Sequence, residues 1–108
     1  MTDRELLELA AKAAGIYCEI GEFYGGRCFG TNEYNEIVFD PLTDDGDALR
    51  LAVKLQFNLW IGDGGTDVKH DDRPYLNVRE YAMNNDPYAA TRRAIVRAAA
   101  EIGKEIKK

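Results

Sequence analysis

Thr43-Asp44-Asp45-Gly46-Asp47-Ala48-Leu49-Arg50-Leu51-Ala52-Val53-Lys54-Leu55-Gln56-Phe57-Asn58-Leu59-Trp60-Ile61 is the stretch on which the fold turns. Its apolar period changes once. Ala48, Leu49, Leu51, Ala52 and Leu55 recur every three or four positions, as on the inward face of a helix. Phe57, Leu59 and Ile61 then recur every second position, as in a strand. Pro41 precedes the helix, and Thr43 or Asp44 can accept its first free N–H groups. Asp44, Asp45 and Asp47 are favoured at the positive end of the helix dipole. A capped helix running straight into a strand predicts an α/β (α+β) domain.

Upstream lies a similar unit. Thr2 and Glu5 form a capping-box pair, Leu6, Leu9, Ala10 and Ala13 recur at helical spacing, and Gly15 stops the helix. Ile16 to Ile20 then alternates as a strand. With an offset of 42, Leu7, Leu9, Ala10 and Lys12 align with Leu49, Leu51, Ala52 and Lys54. The match is compatible with a duplicated helix–strand unit or with chance between two Leu/Ala-rich helices. Between the units, Gly25-Gly26 suits a tight hairpin turn, with a returning strand from about Arg27 to Phe29. Ile37-Val38-Phe39 reads as a short strand or a buried loop. Downstream, residues 62–65 form a Gly-rich turn, Val68 to His70 gives a weak strand signal, and Tyr75 to Tyr81 a stronger one with Leu76 and Val78 on one face. Asp86 then caps a last helix with Pro87 at its first position, running to about Ile106.

The 108 residues suffice for one core, so a single domain over 1–108 is expected. Apolar residues make up 45% and charged residues 31%, which is globular composition. No apolar run approaches the length of a membrane span, and the acidic N-terminus is no signal peptide, so a cytoplasmic location without membrane partners is expected. Cys18 and Cys28 fit no zinc spacing and are too few for a disulfide framework. Residues 1–86 carry 8 Lys/Arg against 17 Asp/Glu, and residues 87–108 carry 6 against 2. An acidic body repels nucleic acid, and only the C-terminal segment opposes that trend.

Catalytic chemistry finds little to work with. The chain has no serine, which removes every Ser nucleophile, and its one histidine, His70, excludes His-rich metal motifs. A Cys–His pair from Cys18 or Cys28 with His70 is conceivable, against His70 as a surface residue of a polar loop. Gly21 to Cys28 has P-loop glycine spacing, but Arg27 replaces the phosphate-binding Lys and Cys28 the Mg²⁺-binding hydroxyl. Asp63, Asp67, Asp71 and Asp72 form an acidic loop that could weakly hold a cation, or simply be solvated. No catalytic residue, metal site or cofactor is therefore assigned.

Two features are candidates for binding. On the last helix, at 100° per residue, Arg97, Lys104 and Lys108 fall within about 60° of Arg93. Tyr88, Ile95, Ala99, Ile102 and Ile106 lie opposite. The stripe is either a surface for nucleic acid or an acidic partner, or a solvated face with cations near a helix C-terminus. Trp60 alternates against Leu59 and Ile61. It is core if both faces of the sheet are covered, and part of an aromatic binding patch with nearby tyrosines if one face is open.

Residues 39–52, Phe39-Asp40-Pro41-Leu42-Thr43-Asp44-Asp45-Gly46-Asp47-Ala48-Leu49-Arg50-Leu51-Ala52, resemble the phage ABA sandwich domain family. So do residues 86–99, where Ala90, Arg93 and Ala94 match the family's closing A-x-x-R-A helix. The matched stretches cover about a quarter of the chain. The resemblance implies a three-layer α/β/α sandwich and a phage or prophage origin, and it implies no activity. The expectation is three helices on a mainly antiparallel sheet of about four strands. The function expected is that of a non-enzymatic accessory protein acting on a phage or host protein, or by homo-oligomerisation. The alternatives are a nucleic-acid-associated protein using Arg93, Arg97, Lys104 and Lys108, and an enzyme relying on carboxylates alone.

Overall fold

The computed structural model describes residues 2–16, 23–24, 27–31, 36–62, 64–82 and 86–106. Three helices and six strands follow in the order α1 (Asp3–Ala14), β1 (Phe23–Tyr24), β2 (Arg27–Thr31), β3 (Glu36–Phe39), α2 (Asp45–Lys54), β4 (Asn58–Gly62), β5 (Gly65–His70), β6 (Arg73–Tyr81) and α3 (Pro87–Glu105). The fold is α+β, and every described strand pair is antiparallel. The strands fall into two three-stranded sheets, β1-β2-β3 and β4-β5-β6, and neither holds a fourth strand among the described residues. The insertion of α2 between β3 and β4 separates two sheets that are each built from sequence-local connections.

Local chemistry sets the helix ends. The Thr2 hydroxyl accepts from the Glu5 N–H at 3.1 Å, and the Glu5 carboxylate accepts from the Thr2 N–H at 3.1 Å, which completes the capping box. Gly15 ends α1 at φ 76°, a left-handed conformation that glycine adopts without strain. Asp44 rather than Thr43 caps α2, accepting from the Asp47 N–H at 2.8 Å. The Asp47 carboxylate accepts in turn from the Asp40 N–H at 2.9 Å, which ties the end of β3 to the helix. Asp86 caps α3 by accepting from the Ala89 N–H at 3.0 Å, with Pro87 at the first position.

The core is organised around α3. Ala90, Ala94, Ile95, Val96, Ala98, Ala99, Ala100, Ile102 and Gly103 are all buried. At 100° per residue these positions occupy most of the helix circumference. The helix is therefore central, where its sequence had suggested an apolar and a solvated half. It packs against α1, α2, β5 and β6. Its small residues permit this, because helix backbones approach closely only where side chains are short. At Gly103 an added β-carbon would stand 2.1 Å from the Leu9 carbonyl oxygen of α1. The core face of α1 is Leu6, Leu7, Ala10, Ala11 and Ala14, with Leu9 and Ala13 only partly buried. Leu49, expected to face inward on α2, is 58% exposed.

The second sheet lays one face on α3. Thr66 and Val68 of β5 and Leu76 and Val78 of β6 are buried there, and Thr66 shares a 2.7 Å hydroxyl–hydroxyl hydrogen bond with Thr91 of α3. His70 belongs to the same face and is buried, contrary to its reading as a surface loop residue. Its Nδ1 accepts from the Asp72 N–H at 3.1 Å, and its ring meets Phe57 edge-on at 6.1 Å. Two hairpins set the register: Leu59 opposes Val68, and Val68 opposes Val78. The expected strand over Ile16–Ile20 lies, beyond Ile16, outside the described residues, as does the Gly25-Gly26 turn. The flanking strands nevertheless pair Tyr24 with Arg27, as a hairpin requires.

Candidate functional site

Alternation along a strand sends successive side chains to opposite faces. Burying Leu59, Val68 and Val78 on α3 therefore turns Trp60 of β4, Asp67 and Lys69 of β5, and Tyr75, Asn77, Arg79 and Tyr81 of β6 to the outer face. Trp60, Tyr75 and Tyr81 are 55%, 66% and 64% exposed. No described helix covers this face, so the described residues show two layers at this sheet. Trp60 is thus exposed and not part of the core.

The outer face has internal order. Trp60 opposes Asp67, and Asp67 opposes Arg79, so the three lie in one row across the sheet. Arg79 donates to both Asp67 oxygens, at 2.5 and 2.7 Å, in a bidentate pair. This bond raises the Arg79 pKa and holds the Asp67 carboxyl below its ordinary value. The guanidinium carbon sits 5.8 Å from the Tyr81 ring centroid, and Lys69 Nζ lies 5.4 Å from that of Trp60. Both fit cation–π geometry. A shallow concavity of about 400 Å³ opens between Trp60, Asp67, Arg79 and Tyr81, next to the β4–β5 turn. At the far end of β6, Glu105 of α3 accepts from the Tyr75 hydroxyl and, at 3.2 Å, from Arg73 Nε. The Tyr75 bond, followed by that of Arg73, lowers the Glu105 pKa, and Glu105 raises that of Tyr75.

A second depression, of about 460 Å³, lies between the α3-facing side of β4 and the helices α2 and α3. Leu59 and Ile61 form one side, Ala48 and Leu49 of α2 another, and the first turns of α3 its floor. It is almost wholly apolar. At its rim Arg92 donates to Asp45 at 2.6 Å and to the Leu42 carbonyl at 2.9 Å.

The basic stripe is occupied from within. Arg93 donates to Asp3 at 3.0 Å and has Glu80 at 4.0 Å. Arg97 donates to Glu80 and, at 3.1 Å, to the Arg79 carbonyl. Lys104 pairs with Glu101 at 3.0 Å. Lys108 lies outside the described residues. Arg93 and Arg97 join α3 to the start of α1 and to β6, and Lys104 pairs within α3, so the stripe is not a row of unpaired cations. The acidic loop is likewise dispersed: Asp67 pairs with Arg79, Asp71 accepts from Asn58 at 2.7 Å, and Asp63 lies outside the described residues. Among the described residues no three metal-ligating side chains are grouped, and no helix is long and apolar enough to cross a membrane. Arg27 and Cys28 stand on β2, where a P-loop would need a helix. Cys18 of the conceivable Cys–His pair lies outside the described residues.

Lys69 and Arg79 carry no individual signal in the sequence, and Tyr75 and Tyr81 enter it only as tyrosines near Trp60. Their signal was the alternation against Leu76 and Val78, which names the residues of the opposite face. It does not say that the face is open. No protein-family model, no curated protein and no solved structure matches this chain.

Proposed function

We propose that this is a small accessory protein of phage or prophage origin that acts in the bacterial cytoplasm by binding another protein through the outer face of β4–β6. The observation that carries the reading is the exposure of Trp60, Tyr75 and Tyr81 on one uncovered sheet face. Aromatic residues and arginine dominate the energetics of protein interfaces: aromatic rings bury large area with few rotatable bonds, and the planar guanidinium of arginine stacks and donates several hydrogen bonds at once. Here the Asp67–Arg79 pair fixes the guanidinium beside Tyr81, so part of the ordering that association requires is already in place. A partner docked on this face would supply the third layer of the sandwich implied by the resemblance at residues 39–52 and 86–99.

The test is site-specific photo-crosslinking in a lysogenic or infected host. A photoreactive residue replaces Asn77, at the centre of the face, or Lys54, exposed on α2. A discrete adduct from position 77 is expected, absent from position 54 and lost on adding Tyr81→Ala. Equal labelling from both positions, or an adduct indifferent to Tyr81→Ala, would reject the reading.

A further inference from the structure

We infer that the edge of β4 left unpaired among the described residues is a dimerisation edge, on which a second copy of this chain adds its own β4 antiparallel across a two-fold axis at Trp60. Among the described residues β4 pairs only with β5. Edge strands in monomeric proteins are usually protected by charge or proline. The other edge of this sheet, β6, follows that rule with Arg73, Pro74, Arg79 and Glu80. By contrast, Asn58-Leu59-Trp60-Ile61-Gly62 has neither a charge nor a proline, and Trp60 and Ile61 are both exposed.

The apolar groove lined by Leu59, Ile61, α2 and α3 lies on the α3-facing side of β4, the side to which alternate side chains of an added strand would point. Leu49 and Tyr88 are exposed at it, on two different helices. The strand that fits must be uncharged, with apolar side chains alternating toward the groove. β4 is such a strand. Centring the pairing on Trp60 is the register that pairs all five of its residues: Trp60 with Trp60, Leu59 with Ile61, and Asn58 with Gly62. Leu59 and Ile61 of each copy then face the groove of the other, an isologous contact.

Each copy carries −5, which opposes the approach at long range, but part of the charge beside the edge is already paired within each copy. Next to the edge, Asp67 is neutralised by Arg79, Asp45 by Arg92, and Lys69 lies over Trp60. Burying Trp60, Ile61, Leu49 and Tyr88 with the strand backbone removes about 600 Å² per copy, the lower end for specific interfaces. Interfaces of that size are typically weak and transient, and we expect a dissociation constant of about micromolar order.

Sedimentation equilibrium on the purified full chain, from about 1 to 500 μM around that range, reads the result. A monomer–dimer equilibrium is expected. Ile61→Lys should weaken it at least about 100-fold, the scale of an interface hot spot. Trp60→Lys and Trp60→Glu should each be monomeric, while their equimolar mixture regains the dimer, because the two-fold places position 60 against itself. Circular dichroism of each variant confirms the fold. A wild-type chain that stays monomeric to the top of the range would overturn the inference and leave the groove to a strand from another protein. A dimer unaffected by Ile61→Lys, or a mixture that fails to reassociate, would overturn it as well. None of these results bears on crosslinking from position 77, which tests the outer face.

Discussion

Gly103→Ala is the substitution whose outcome depends most on the packing described. In a solvated helix interior this change stabilises by about 1 kcal/mol, since Ala loses less backbone entropy than Gly. Here the new β-carbon would lie 2.1 Å from the Leu9 carbonyl oxygen and 2.7 Å from its carbon, both backbone atoms. Contact distances are about 3.5 Å, so relief of the 2.1 Å approach takes a movement of about 1–1.5 Å, shared between parting of α1 and α3 and local adjustment. A gap of that size forfeits about a quarter to a half of the dispersion energy across the seam. That seam includes buried Leu6, Leu7 and Ala10. Overpacking costs about 1–3 kcal/mol, and a rigid backbone neighbour places this case at the upper end. Net of helix propensity, Gly103→Ala should destabilise by about 2 kcal/mol, a fall in Tm of roughly 8–16 °C for a domain of this size. Gly46→Ala is the matched control. The nearest atoms to its β-carbon would be side-chain ends, of Arg50 and of the capping Asp44, at 3.2 Å, which can give by a few tenths of an ångström without moving backbone, so the change in stability should stay under about 1 kcal/mol. Thermal and urea unfolding followed by circular dichroism decide the matter. A Gly103→Ala protein as stable as wild type would refute the close approach of α1 and α3.

Two further outcomes follow from the charged contacts. The Asp67 carboxyl is held below its ordinary 3.8 by Arg79, so its contribution is complete above that value and is lost as the pH falls through the lower folded value. Asp67→Asn should therefore flatten the fall in Tm between about pH 4 and pH 2, and an unchanged slope would mean the pair is not formed in solution. With Arg93, Arg97 and Lys104 engaged by Asp3, Glu80 and Glu101, titration of labelled DNA and RNA at about 150 mM salt should give dissociation constants of about 10⁻⁴ M or weaker. Micromolar binding lost on Arg93→Glu with Arg97→Glu would instead restore the nucleic-acid reading.

The features legible in the sequence are those fixed by neighbours along the chain. Thr2 with Glu5, Gly15, and Asp86 with Pro87 act within one helical turn, and all cap helices as their spacing predicts. The change of period at Phe57 likewise marks the boundary between α2 and β4. What escaped depends on distant partners. A helical wheel scores Ala as neither clearly inside nor outside, so α3 read as two-faced although its alanines surround a central helix. Leu49 fits an inward stripe by period, but α2 turns it toward the groove. The cations of α3 looked free because Asp3 and Glu80 are 90 and 17 residues away from their respective partners Arg93 and Arg97. Alternation assigned Trp60 and Leu59 to opposite faces without saying which face a helix would cover.

That face carries the account, and the chain offers one probe for it, because Trp60 is the sole tryptophan. Its fluorescence in the purified protein, at a concentration well below the micromolar range so that the chain is monomeric, reports the environment of the outer face directly. An open face gives the red-shifted emission of a hydrated indole, readily quenched by iodide, with a quenching constant that changes on Lys69→Ala as the neighbouring cation is removed. Blue-shifted emission that iodide does not reach would show Trp60 to be covered, and would contradict the open sheet face on which the proposed function rests.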